Sequence, residues 1–437
     1  MGFFVAQSIG YCKRSQPQKR EYQLNRLVFH GNISEVLSLM MTEGTNMNAI
    51  LKIVTITICT LTLSSCSVVR GLMADGTDGP DIFSFEQREV DTIANGGVAF
   101  HFPVAQKKAD WIDSTHFPNS PHRCDHMTYL EAFNKESTTQ GLLIIHNDSI
   151  VYERYWGDFT PERMATVFSV SKSITSLMCG IAVYDGYIHS IDDPVTNYLP
   201  ELKTKDPMWE KLTIRHLLDM RSGLDFDDTY DVNWKGLKYL NAMARLNYGH
   251  NIMKQIQGLT FRCEPGSDFR YESMTAAILG IVIERASGKR FADYLSEKVW
   301  IPLGMEHPAL VNIDSRKHDN AHTFGGITLT IKDLAKIGRL YLNNGMWNDK
   351  RIVSEDWIRQ TVECDTSYHG YHFNWYNINY ENIIRPEHSG YYALGIYEQV
   401  LYVNPYKNLV MVRIGKHNKG HTSIPLLFEQ ISHWWKD

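Results

Sequence analysis

Ser169 and Lys172 lie three residues apart in Phe168-Ser169-Val170-Ser171-Lys172-Ser173. If this stretch opens a helix, both side chains share one face, one turn apart. Val170, Ile174, Leu177, Met178, Ile181 and Ala182 carry helical apolar spacing, and Gly186 is a common kind of helix stop. Ser169 would then sit at the helix start, where free N–H groups and the macrodipole favour negative charge. A serine whose developing anion is stabilised, beside an amine able to take its proton, can act as a nucleophile. The plain alternative is an N-cap serine followed by a surface lysine. The S-x-x-K spacing occurs once in the chain.

A hydrolase built on that pair needs a second proton-handling group. Tyr271 is the candidate, in the loop Pro265-Gly266-Ser267-Asp268-Phe269-Arg270-Tyr271-Glu272-Ser273 ahead of an apolar helix. A phenol at a loop–helix junction can project into a cleft, and beside a lysine ammonium its pKa would fall from about 10. That would make it a phenolate or a proton relay. The alternative is a packing tyrosine with Ser273 as a plain N-cap.

The elements that must position these residues follow from pattern. Gly141–His146 and Ile150–Tyr155 flank Asn147-Asp148-Ser149 and predict a β-hairpin just before the Ser169 helix. Residues 187–310 are mostly helical. Thr213 caps a helix running to Met220, Met274–Ala286 is a strongly apolar helix closed by Ser287-Gly288, and Phe291–Val299 is a further helix. Gly325–Thr330 gives a short strand, and Thr330 with Asp333 caps a helix from Ile331 to Asn343. Tyr397–Val403 and Leu409–Ile414 form an antiparallel hairpin, followed by an amphipathic helix from Thr422 to Trp435. Strands at both ends of a helical middle predict an α/β fold: an antiparallel sheet flanked by helices, interrupted by a mostly helical lobe.

Composition agrees with an ordinary globular chain: 437 residues, 43% hydrophobic and 21% charged. A net charge of −5 gives no reason to expect nucleic acid as a partner. Residues 47–66 stand apart. Lys52 precedes the uncharged run Ile53–Leu63, too short to span a bilayer comfortably and suited to a signal peptide, and Leu63-Ser64-Ser65-Cys66 follows. This stretch resembles a bacterial lipoprotein signal, which makes Cys66 the lipidated residue of an exported, membrane-anchored protein facing the periplasm or cell surface. Residues 1–46 then read as a mis-assigned upstream segment, 67–121 as a tether and N-terminal arm, and 122–437 as the hydrolase domain. Seven cysteines show no C-x-x-C, so no zinc framework is expected, and Cys179 reads as a buried thiol. No phosphate-binding glycine loop and no G-x-S-x-G elbow occur. No cofactor or metal is expected, the pairs His318/His322 and His417/His421 included.

Five stretches in order strengthen the reading: the Ser169 motif, Leu217-Leu218-Asp219-Met220-Arg221-Ser222-Gly223, Pro265-Gly266 with Tyr271-Glu272-Ser273, Pro302-Leu303-Gly304-Met305, and Gly325-Gly326 before Thr330-Ile331-Lys332-Asp333-Leu334. With them the chain resembles the serine β-lactamase and penicillin-binding-protein superfamily, in its class C β-lactamase and esterase-like branch, of the 6-aminohexanoate-dimer hydrolase type. The resemblance implies Ser169 as acylated nucleophile, with Lys172 and Tyr271 sharing its proton. The family's Tyr-x-Asn stands here as Tyr271-Glu272-Ser273, and its Lys-Thr-Gly is absent. Ala393-Leu394-Gly395 and His388-Ser389-Gly390 compete for that place. The former is favoured, and it implies an oxyanion hole from the N–H groups of Ile396 and Ser169. Tyr230 and His417 are further cleft-lining candidates. Loss of the carboxylate clamp favours a small-molecule amide or ester substrate. A D-alanyl peptidase or β-lactamase, and a non-catalytic sensor of penicillin or peptide, are the rival readings. Oligomeric state is not legible.

Overall fold

The computed structural model describes residues 67–76, 79–116, 127–136, 138–229, 242–363, 370–377, 390–416 and 423–435. Cys66, Tyr230, His388, His417 and His421 lie outside the described residues. The chain divides into two units, Met1–Val69 and Arg70–Asp437, and the second holds every element named below.

Its centre is a seven-stranded antiparallel sheet. The strands are β1 Thr139–His146, β2 Ser149–Tyr155, β3 Tyr371–His372, β4 Trp375–Asn377, β5 Tyr391–Gly395, β6 Gln399–Asn404 and β7 Leu409–Gly415. They lie in the order β2-β1-β7-β6-β5-β4-β3. The β1–β2 turn places Asn147 and Asp148 at φ of 49° and 59°, the left-handed geometry that a tight hairpin needs and that Asn and Asp tolerate. Alternate residues of the central strands point to opposite faces. Leu143, Ile145, Leu401, Val403, Val410 and Val412 enter one core, while Leu142, Ile144, Val400, Tyr402, Leu409 and Met411 enter a second. Both faces being covered explains why β6 and β7 read as continuous apolar runs.

The first core is closed by α1 Val170–Tyr184, α2 Ile214–Leu218, α3 Ser273–Ser287 and α4 Ile331–Leu342. The second is closed by α5 Ile424–Trp434 together with Tyr129 and Phe133. The sheet is thus assembled from both ends of the chain, with the helical stretch between β2 and β3, as the pattern predicted.

Three expectations need correction. The arm before residue 121 is more than a tether: Ile82, Ile93 and Phe102 are buried in the main core. Its Val90–Ile93 strand builds a small second sheet with Ala309–Asn312, Ile327–Leu329 and Ala165–Thr166. Phe291–Val299 is split, an α-turn at Phe291–Leu295 passing into a π-helical turn at Ser296–Trp300. Tyr397 and Glu398 are turn residues at φ of 64° and 59°, where the pattern placed a strand. Ala393-Leu394-Gly395 therefore ends its own strand, β5, and a turn separates it from β6.

Candidate active site

Ser169 is the N-cap residue of α1, yet its side chain makes no capping bond. Its hydroxyl is turned to Lys172, whose Nζ donates to Ser169 Oγ at 2.9 Å. The preceding residue, Phe168, is held at φ 47°, a left-handed geometry uncommon for a bulky side chain. Neighbouring contacts hold it there. The Val167 N–H bonds the Ile327 carbonyl at 3.0 Å, and the Phe168 ring packs edge-on to Tyr397 at 5.6 Å. The small sheet thus sets the sharp turn that presents the serine.

Lys172 is 1% exposed. Its second hydrogen bond goes to the Phe324 carbonyl at 2.7 Å, and its Nζ lies 5.0 Å from the centre of the Tyr271 ring. The Phe324 carbonyl is brought there by side chains of α1. Thr175 Oγ1 donates to the Thr323 carbonyl at 2.9 Å, and Ser171 Oγ accepts from the Ile327 N–H at 3.1 Å. Burial lowers the Lys172 pKa to about 8, with the nearby Asp228 carboxylate opposing that fall. A surface lysine is therefore ruled out.

Tyr271 faces the pair, and Ser169 is the neighbour that opposes the rise in its pKa. Its loop is gripped by the Leu217–Gly223 stretch: the Arg270 N–H bonds the Met220 carbonyl at 2.9 Å, and Ser222 Oγ donates to Glu272 at 2.7 Å. Two of the ordered sequence motifs are partners in space. The expected fall in the Tyr271 pKa is overturned. Burial pushes it up, and Asp228 adds to the rise, so the group is a phenol that keeps its proton. The N-cap of α3 is Glu272 rather than Ser273. Ser273 Oγ instead donates to Asp228 at 3.3 Å.

Gly395 ends β5 against the serine turn. A Cβ there would collide with the Val167 carbonyl oxygen and lie 3.2 Å from Ser169 N, so only glycine lets the strand approach this closely. Ile396, the next residue, lines a narrow cleft with Ser169, Phe168, Phe324 and Gly325. The far wall comes from the N-terminal arm, through Arg88, and from the helix Ala242–Tyr248, through Asn247. The structure brings Ser169, Lys172, Tyr271 and Ile396 together. Sequence reasoning missed Phe324, whose main-chain oxygen carries no side-chain signal, and Asp228, which sits in an acidic loop with Asp225 and Asp227.

A family model described as Beta-lactamase matches residues 129–429. The chain belongs to the beta-lactamase family. It is 27% identical over 237 residues to a 6-aminohexanoate-dimer hydrolase of Paenarthrobacter ureafaciens, covering 53% of this chain and 59% of that protein. It is 30% identical over 145 residues to penicillin-binding protein 4* of Bacillus subtilis, covering 33% of this chain and 30% of that one. The matches therefore span less than two thirds of these relatives. Among solved structures, a candidate 6-aminohexanoate-dimer hydrolase of Bacillus anthracis superposes with a TM-score of 0.67 at 21% identity, over 84% of this chain and 94% of that one. A D-stereospecific amidohydrolase of Streptomyces gives 0.53 at 16% identity, over 68% and 95%. These likenesses bear out the expected fold and the expected superfamily.

Proposed function

We propose that the protein hydrolyses an amide or ester bond through an acyl-Ser169 intermediate. The observation that carries this reading is the contact of Ser169 Oγ with the buried Lys172 Nζ at 2.9 Å, with the centre of the Tyr271 ring 5.0 Å from that nitrogen. Neutral Lys172 gives one N–H to the Phe324 carbonyl, which aims its lone pair at Ser169 Oγ. It takes the serine proton as Oγ attacks the substrate carbonyl. Tyr271 passes its own proton to the leaving nitrogen or oxygen and is reloaded from the Lys172 ammonium. Water then attacks the acyl carbon, its proton follows the same relay, and Ser169 leaves as the hydroxyl. The tetrahedral oxyanion lies at the Ser169 and Ile396 main chain, beside the close contact at Gly395.

The substrate reading is an amide or ester without a carboxylate clamp, because Ala393 and Leu394 stand at the end of β5 where lysine and threonine would be needed. A relative named for 6-aminohexanoate-dimer hydrolysis supports it. The test is labelling with a fluorophosphonate followed by a panel of short acyl esters, amide dimers, nitrocefin and D-alanyl peptides. Wild type should label at Ser169 and turn over an ester or amide, while Ser169→Ala loses both. Labelling that survives Ser169→Ala removes the nucleophile. Nitrocefin turnover or D-alanine release as the main activity moves the substrate to lactams or cell-wall peptides. Stoichiometric acylation without product makes the chain a sensor.

A further inference from the structure

Asp228 follows the segment that grips the Tyr271 loop, and the catalytic reading leaves it without a task. Its Oδ2 accepts the Ser273 hydroxyl at 3.3 Å, and Ser273 itself is fully buried at the head of α3. Its Oδ1 is shielded from solvent and has no hydrogen-bond partner. A carboxylate oxygen left in this state is costly unless it serves another charge, because nothing at short range disperses its field. The neighbouring charge is the ammonium of Lys172.

We propose that Asp228 is a positioning residue of the proton relay, its buried carboxylate holding positive charge on Lys172 as Ser169 gives up its proton. The inference rests on the reading of Ser169 as nucleophile and Lys172 as base. An acid set behind a base stabilises the cation that forms when the base takes a proton. Here the carboxylate acts across space on Lys172, raising its pKa against burial, and it pushes the Tyr271 phenol further towards its protonated form. The carboxylate thereby favours the state reached when Lys172 has taken the serine proton and Tyr271 still holds its own.

Other charged groups face this cluster from each neighbouring element. Asp227 adjoins Asp228 on the same loop, and Glu272 follows Tyr271, with its pKa raised to about 7 by burial. Tyr371 and Tyr376, from the β3–β4 hairpin, face Tyr271, and Asp219 lies beyond Tyr371. Arg270 faces Asp227 and Glu272. Burial keeps Tyr371 and Tyr376 protonated. Glu272 gives one oxygen to Ser222, which leaves Asp228 as the carboxylate acting on Lys172.

The test is the second-order rate of fluorophosphonate inactivation from pH 5 to 10, with thermal melts alongside. In Asp228→Asn the rising limb should move to lower pH by about 1 unit, and the plateau should drop about ten-fold, the equivalent of that shift. Asp228→Glu keeps the charge and should restore the wild-type limb. Ser273→Ala loosens the carboxylate and should move the limb the same way by less, which serves if Asp228→Asn folds poorly. A limb unchanged in both Asp228→Asn and Ser273→Ala, or displaced equally in Asp228→Glu, overturns the proposal. A wild type that takes no label at Ser169 ends the catalytic reading and this inference together. A labelled wild type with an immobile limb ends this one alone.

Discussion

The side chains around Ser169 divide the proton between two groups of opposite tendency. Burial lowers Lys172 to about 8, and burial pushes Tyr271 above its usual range. On the proposed mechanism the base is therefore the amine and the acid is the phenol. The acidic limb of kcat/KM should lie near pH 8, where half of Lys172 is neutral, and the rate should fall about ten-fold per unit below it. In Tyr271→Phe that limb should stay in place while the rate drops. A pH profile of both proteins decides this, and a limb that vanishes in Tyr271→Phe would make the phenolate the base. Ser169 and Lys172 were legible because their spacing needs only a helix start to place both on one face. The protonation of Tyr271 was not legible, because it depends on burial that spacing does not carry. Asp228 was hidden for a related reason: Asp225 and Asp227 beside it are exposed, and only the fold separates them.

At the scale of elements, the site is a junction of two sheets and one helix start. Long periodic segments such as α1, α3 and α4 declared themselves, and so did the β1–β2 hairpin with its Asn147-Asp148 turn. Of the small sheet only Ile327–Leu329 was legible, because its strands run two to four residues, too short for a period to stand out. Tyr397 and Glu398 read as strand by residue type but are bent into a turn by Arg413. That buried guanidinium donates to the carbonyls of both and to Thr139 Oγ1. The contact that matters most is the approach of β5 to the serine turn at Gly395. Valine there would drive carbon into the Val167 carbonyl and force the strand from Ser169. Gly395→Val should therefore lose at least about 100-fold in kcat/KM, the scale of a displaced oxyanion donor. It should also lose about 1–3 kcal/mol of stability through overpacking. Rates and denaturant midpoints for Gly395→Ala and Gly395→Val test this, and full activity in both would show that the close approach is dispensable.

The molecule as a whole carries buried titratable groups that set its pH range in opposite senses. Glu284 in α3 accepts the Phe291 N–H at 2.9 Å, but burial, with Asp319, Asp314 and Asp91 nearby, raises its pKa from 4.5 to about 8. Its folded form prefers the proton, so its contribution to stability is full below pH 4.5 and is lost as pH climbs towards 8. His322 lies under the cleft, stacked on Phe324, with both ring nitrogens lacking hydrogen-bond partners. Burial, with the charges of Arg88 and Arg70, lowers it from 6.5 to about 3. Its folded form is neutral, so its contribution is full above pH 6.5 and is lost as pH falls towards 3. Between 4.5 and 6.5 these two slopes cancel, and Glu272, raised to about 7, adds its own decline with rising pH, so stability should be highest near pH 4.5 and fall on either side. Glu284→Gln should flatten the decline above pH 6.5 and leave the acid side alone, and His322→Gln should do the reverse. Melting temperatures from pH 3 to 9 for the three proteins measure this, and an alkaline decline unchanged in Glu284→Gln would assign it to other groups. The alkaline decline coincides with the pH at which Lys172 becomes a competent base. On the proposed mechanism activity and stability are then set against each other, since burial raises the pKa of the glutamate and lowers that of the lysine.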